Sequence, residues 1–211
     1  MDSTTHHGLT LANRITIVRI LCVPVFVLLL VYYLMDLRDG HASEVLRASA
    51  LVFFVGIVFT DALDGYFARS RNEITRLGRI LDPLADKALL LSGLILLTRP
   101  SLPALSPHIP VWYTLLVISR DAVLILGAML IHHMAGTVEI RTHILGKAAT
   151  LFQMIAVFWV LVGGAPRPFA MVVIVAGLLT FVSGAIYVLD GVRQLERANI
   201  EHKKPSPVPH A

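Results

Sequence analysis

The stretch TDALDGYFARSRNEITRLGRILDPLADKALLL, from Thr60 to Leu91, leaves one apolar run and enters another, yet carries four aspartates: Asp61, Asp64, Asp82 and Asp86. Carboxylates beside a hydrocarbon layer are costly unless they are paired or hold something positive. Apolar runs flank the stretch on both sides. Six of them lie at roughly 17–35, 48–67, 80–98, 111–131, 148–163 and 169–189. Most reach the ~20 residues that a helix needs to cross a bilayer, and the fifth is the shortest.

Composition agrees. Of 211 residues, 56% are hydrophobic and 15% charged, and the mean hydropathy is +0.75. A soluble domain of that size needs more polar surface. The sequence predicts an all-α integral membrane protein: six transmembrane helices, preceded by a short interfacial helix over 8–16 (GLTLANRIT). Residues 1–200 form one membrane domain, and 201–211 a polar, proline-rich tail without fixed structure. The connections DLRDGHASE (36–44), SLPALSPHIP (101–110) and GGAPRP (163–168) read as external loops. Cys22 is the single cysteine, so neither an intrachain disulfide nor a thiolate metal cluster can form.

The charge of +4 is modest but unevenly spread. With the N-terminus inside, one side holds Arg14, Arg69, Arg71, Arg76, Arg79, Arg141, Lys147, Arg193, Arg197, Lys203 and Lys204. The other holds Arg38, Arg47, Arg99 and Arg167. That bias predicts a cytoplasmic-membrane protein with both termini, and the acidic stretch, on the cytoplasmic side. Some of these cations also suit anionic headgroups. The basic residues are dispersed at membrane edges without interleaved aromatics, which argues against nucleic acid as a partner.

On helices, Asp61 and Asp64 are three apart, with Gly65 and Ala68 continuing the stripe. Gly78, Asp82 and Asp86 follow one another at intervals of four. A short basic loop near 70–77 joins the two helices, so the acidic stripes can face each other. Four carboxylates in a partly desolvated pocket cannot all stay ionised without positive charge among them. The loop arginines can supply part of it. A pair of hard divalent cations does it better, because every donor is a carboxylate oxygen, and that selects Mg²⁺ or Mn²⁺ over zinc. The small residues leave room beside the ions. Two such ions suit displacement at a phosphate, and the membrane setting suggests a lipid diphosphate. A cation or proton transporter also uses intramembrane carboxylates, but its sites lie near the midplane between repeats. No repeat is visible here, and these aspartates flank a basic loop.

The spacing Asp61-x2-Asp64-Gly65-x2-Ala68-Arg69-x8-Gly78-x3-Asp82-x3-Asp86 fixes eight residues over 26 positions. It resembles the signature of the CDP-alcohol phosphotransferase family at every defined position. The segments Asn13-Arg14-Ile15-Thr16 and Ile144–Thr150 extend the likeness, which covers roughly residues 9–195 and is closest to the phosphatidylglycerophosphate synthase branch. The resemblance implies transfer of a phosphatidyl group from CDP-diacylglycerol to an alcohol, with release of CMP. It implies two Mg²⁺ or Mn²⁺ ions held by Asp61, Asp64, Asp82 and Asp86, with Asp86 also taking the acceptor's proton. It assigns the CDP-lipid to Asn13, Arg14, Ile15, Thr16, Gly65, Ala68, Arg69, Thr75 and Gly78. It also implies a homodimer.

The acceptor is read from other charges. Arg120 and Asp121 lie inside the fourth apolar run, as ligands or as a polar contact that ties helices together. Arg141 and Lys147 sit near the start of the fifth helix, where they suit the phosphate of glycerol 3-phosphate. One departure favours a different acceptor. The synthase branch carries a further arginine about two turns beyond its helix-four Arg-Glu, whereas Arg120-Asp121 is followed by apolar residues. The Arg-Asp pair is nearer to the CMP-forming cardiolipin synthases, which use phosphatidylglycerol.

Overall fold

The computed structural model describes residues 11–71, 76–99, 102, 104–135 and 144–202, with side chains over 18–60, 84–99, 102, 104–131, 133 and 144–194. Among the described residues there are six helices and no strand. They are α1 (Leu11–Arg38), α2 (Glu44–Arg71), α3 (Arg76–Leu97), α4 (Val111–Ala135), α5 (Ile144–Val162) and α6 (Pro166–His202). Among the described residues, four segments are long and apolar enough to cross a membrane: Val18–Arg38, Val111–Ile131, Ile144–Val162 and Pro166–Gln194. The helices α2 and α3 are 28 and 22 residues long.

Several boundaries differ from the apolar runs for identifiable reasons. Residues 11–16 continue into α1 without a break, so the backbone there is one helix with the span. The fifth helix starts at Ile144 rather than 148, because Gly146 and Lys147 interrupt the apolar pattern without interrupting the helix. The turn before α6 is only Gly163–Ala165, and Pro166 opens the helix. Proline suits a first helical position, where its missing N–H has no intrahelical partner to lose. At the start of α2, Ser43 acts as the cap: its Oγ accepts from Leu46 N at 3.4 Å, while its own N–H donates to Asp36 Oδ2 at 2.9 Å.

The chain forms two compact units. One comprises residues 1–111 and 154–169, the other residues 112–153 and 170–211. In the first, α1 packs against both α2 and α3. Phe26 of α1 meets the Phe54 ring with centroids 5.7 Å apart. Gly93 of α3 leaves room for Val157 and the edge of Phe26. Contacts run from Arg19 to Asp86 and from Phe26 to Gly93, seven residues on along both chains, so α1 and α3 are parallel. In the second unit, Trp112 meets Gly177, Arg120 meets Gly184 and Ile131 meets Gly191, so α4 and α6 are also parallel. Gln153 of α5 donates to Thr180 of α6 at 3.2 Å, and Gly146 lies by Tyr187, so α5 runs antiparallel to α6.

Lipid explains what is outside. Leu21, Leu28, Tyr32 and Met35 of α1 are exposed, while Phe26, Leu30 and Leu34 are buried. Helix association in lipid gains little from apolar burial and depends on close packing at small residues and on polar contacts. Hydroxyls find partners within their own helices, as with Ser92 to Leu89 O (2.9 Å) and Thr180 to Ala176 O (2.7 Å). No water is needed for them.

Candidate active site

The first unit carries the acidic signature. Asp61, Asp64, Gly65, Ala68 and Arg69 occupy the last turns of α2, and Gly78, Asp82 and Asp86 the first turns of α3. Asn13, Arg14, Ile15 and Thr16 lie in the first turns of α1. Of all these, only the Asp86 side chain falls among the described ones; Thr75 and Arg141 lie outside the described residues altogether. Among the described residues no three metal-ligating side chains come together, because Asp61, Asp64 and Asp82 are not among them. The donor set along the signature is carboxylate oxygen throughout, which fits a hard dication and not a thiophilic one.

Asp86 has a companion that sequence reasoning missed. Arg19 of α1 is 2% exposed, and its Nη1 stands 3.5 Å from Asp86 Oδ1. The two side chains differ in access: that of Arg19 is 1% exposed and that of Asp86 31%. The carboxylate therefore reaches open space while the guanidinium behind it is sealed. A signal for Arg19 existed. It falls inside the first apolar run, as Arg120 falls inside the fourth, and cations within spans are functional candidates by default.

The second unit holds Arg120 in a cradle built by three helices. Its Nη1 donates to Asp121 Oδ1 at 2.9 Å and its Nη2 to Ser183 Oγ at 3.4 Å, and the guanidinium carbon lies 5.5 Å from the centre of the Tyr187 ring. Two glycines make the space. A Cβ on Gly184 would come 3.1 Å from Arg120 Cγ, and one on Gly146 would come 3.2 Å from Nη2. The Arg120 side chain is only 9% exposed, and its Nε has no partner among the described residues. Arg120 thus ties α4 to α6 and holds a buried donor beside that contact. Lys147 follows Gly146 directly and is exposed.

With this geometry in hand, comparison with known proteins defines the class. The profile of the CDP-alcohol phosphatidyltransferases matches residues 9–183, and the chain belongs to that family. It is 34% identical to the CDP-diacylglycerol--glycerol-3-phosphate 3-phosphatidyltransferase of Bacillus subtilis, over 90% of this chain and 98% of that one. It is 32% identical to the cardiolipin synthase (CMP-forming) of Streptomyces coelicolor, over 93% of this chain and 88% of that one. A CDP-diacylglycerol--glycerol-3-phosphate 3-phosphatidyltransferase of Aquifex aeolicus is 40% identical over 49% of this chain and 55% of its own.

Proposed function

We propose that the protein is a phospholipid-synthesising transferase that moves a phosphatidyl group from CDP-diacylglycerol to the hydroxyl of glycerol 3-phosphate. The observation that carries this reading is the complete eight-residue acidic signature, in a chain 34% identical along 90% of its length to a glycerol-3-phosphate phosphatidyltransferase. All six helices cross the bilayer in this proposal, with both termini and the acidic stretch on the cytoplasmic side, and the protein works as a homodimer. The parallel pairs α1–α3 and α4–α6 support an up-and-down order.

The chemistry is a displacement at phosphorus. The acceptor oxygen forms a new bond to the lipid-bearing phosphorus, the bond from that phosphorus to the oxygen of CMP breaks, and CMP leaves as its anion. Asp86 takes the hydroxyl proton on its carboxylate. Asp61, Asp64, Asp82 and Asp86 are the residues that would hold two Mg²⁺ or Mn²⁺ ions. Such ions, when bound, supply charge stabilisation to the attacking and leaving oxygens. Arg69 grips the diphosphate by paired hydrogen bonds. Gly65, Ala68 and Gly78 keep room for it, and Asn13 to Thr16 with Thr75 complete the nucleotide contacts. Arg120, Arg141 and Lys147 take the anionic end of the acceptor. The buried, unpaired Nε of Arg120 supports an anion there, since a donor sealed from water without a partner is costly.

A second reading uses the same carboxylates with phosphatidylglycerol as acceptor. It is favoured by the Arg120-Asp121 pair and by the 32% identity to a CMP-forming cardiolipin synthase. One experiment separates them: purified protein is given CDP-diacylglycerol with each acceptor in turn, and CMP and the lipid product are identified. Phosphatidylglycerophosphate is the expected product. Cardiolipin alone would move the assignment to the second reading, and no CMP with either acceptor would sink both.

A further inference from the structure

We propose that Arg19 is a positioning residue for Asp86: its buried guanidinium, paired with the carboxylate at 3.5 Å, holds that carboxylate toward the acceptor hydroxyl. This rests on the role given to Asp86 in the proposed function. An arginine near the start of a membrane helix usually marks the headgroup layer and stretches toward water. Arg19 does neither, being 2% exposed, on a helix apolar from Val18 onward. A buried cation in a span is retained where it has a specific anionic partner. That partner is Asp86, 3.5 Å away on α3.

Two features make the pair directional rather than a generic tie. Access is one-sided, with the arginine sealed and the carboxylate 31% exposed. The register is held from behind: one heptad further along both helices, Phe26 abuts Gly93, and Leu30, Leu90, Leu94 and Leu97 are buried. Rotation of α1 that carried Arg19 off Asp86 would have to disturb that packing. A planar, rigid guanidinium suits such a task better than an ammonium on a flexible stem.

The test is a double-mutant cycle in the full-length protein, with Arg19→Gln and Asp86→Asn made singly and together. The rate is read with labelled acceptor at saturating substrates, and thermal melting is followed in detergent. A misplacement on the order of 1 Å costs about 10²-fold. Arg19→Gln should therefore lower kcat by about 10²-fold, leave the KM for CDP-diacylglycerol within about threefold, and melt as a folded protein. In the Asp86→Asn background the same change should cost less than about threefold, because there is no base left to orient. Equal losses in both backgrounds, or an unchanged kcat, would overturn the positioning role. If Arg19→Gln does not fold, Arg19→Lys takes its place. It should keep the fold and the KM and lower kcat about tenfold, and full activity with lysine would overturn the proposal. Wild-type protein is assayed first. No CMP release there sinks the functional reading and this role with it, whereas normal wild-type turnover with additive losses sinks this role alone.

Discussion

Replacing Gly146 with alanine tests the assignment of Arg120 to the acceptor without touching a charge. The new methyl would lie 3.2 Å from Arg120 Nη2 and 3.3 Å from Tyr187 Oη. Comfortable contacts of this kind are about 3.5–4.0 Å, so the guanidinium must retreat by about 0.3–0.8 Å. It cannot swing freely, since Asp121 holds Nη1 at 2.9 Å and Ser183 Oγ meets Nη2 at 3.4 Å. If a displacement of about 1 Å costs about 10²-fold, half of it costs about tenfold, or about 1.4 kcal/mol of acceptor binding. Stability should hardly change, because alanine gains about 0.8–1 kcal/mol of helix propensity over glycine and offsets the crowding. Gly127→Ala on α4 is the control, as a methyl there meets nothing within 4 Å. Initial rates are measured against glycerol 3-phosphate at saturating CDP-diacylglycerol, beside melting curves in detergent. The expected result is an acceptor KM raised about tenfold in Gly146→Ala alone, with an unchanged KM for the CDP-lipid. An unchanged acceptor KM in a protein that melts normally would refute the assignment and leave Arg120 as a tie between α4 and α6.

Other outcomes follow from the same structure. Excess chelator should abolish CMP release, with Mg²⁺ or Mn²⁺ restoring it and Zn²⁺ failing, since the donors are hard oxygens; full activity in chelator would remove the ions from the proposal. Asp86→Asn should still bind CDP-diacylglycerol but turn over about 10²–10⁴-fold more slowly, as single-turnover assays would register. Lys147→Ala should raise the acceptor KM by about tenfold, through loss of a charged hydrogen bond of about 1.5–3 kcal/mol, and leave the CDP-lipid KM alone. Thr180→Val should destabilise by about 1 kcal/mol in a denaturation series, because it strips Gln153 Nε2 of its 3.2 Å acceptor. Gln153→Leu combined with Thr180→Val should be close to wild type, since Gln153 Oε1 already has no partner among the described residues.

The acidic signature and four of the spans were legible in the sequence because both are local patterns: fixed spacings in one case and uninterrupted apolar runs in the other. What was lost lay at run ends and across helices. Polar residues can extend a helix past its apolar stretch, so α6 continues to His202 though its apolar run stops at 189. Lys147 hid the first turn of α5 in the same way. Arg120 stood out as a charge within a span, yet its cradle comes from Gly146, Ser183, Gly184 and Tyr187, far along the chain. Arg19 was passed over among neighbouring cations, because its burial depends on the parallel register of α1 with α3, and no spacing within α1 encodes that. The side chains of Asp61, Asp64 and Asp82 lie outside the described residues, and their grouping rests on spacing alone.

The length of α6 sets a height above the membrane. Its 37 residues measure about 55 Å at about 1.5 Å each, against a hydrocarbon layer of about 30 Å. With Phe169–Leu189 in the hydrocarbon, the turns from Asp190 to His202 rise about 20 Å beyond it as a rigid post. That post carries Asp190, Arg193, Glu196, Arg197 and Glu201, a mixed set that favours water over lipid. A label attached at His202 itself would stand about 20 Å off the hydrocarbon instead of lying at its edge. Deleting seven residues, close to two turns, would bring that label about 10.5 Å nearer while turning it by only about 20°.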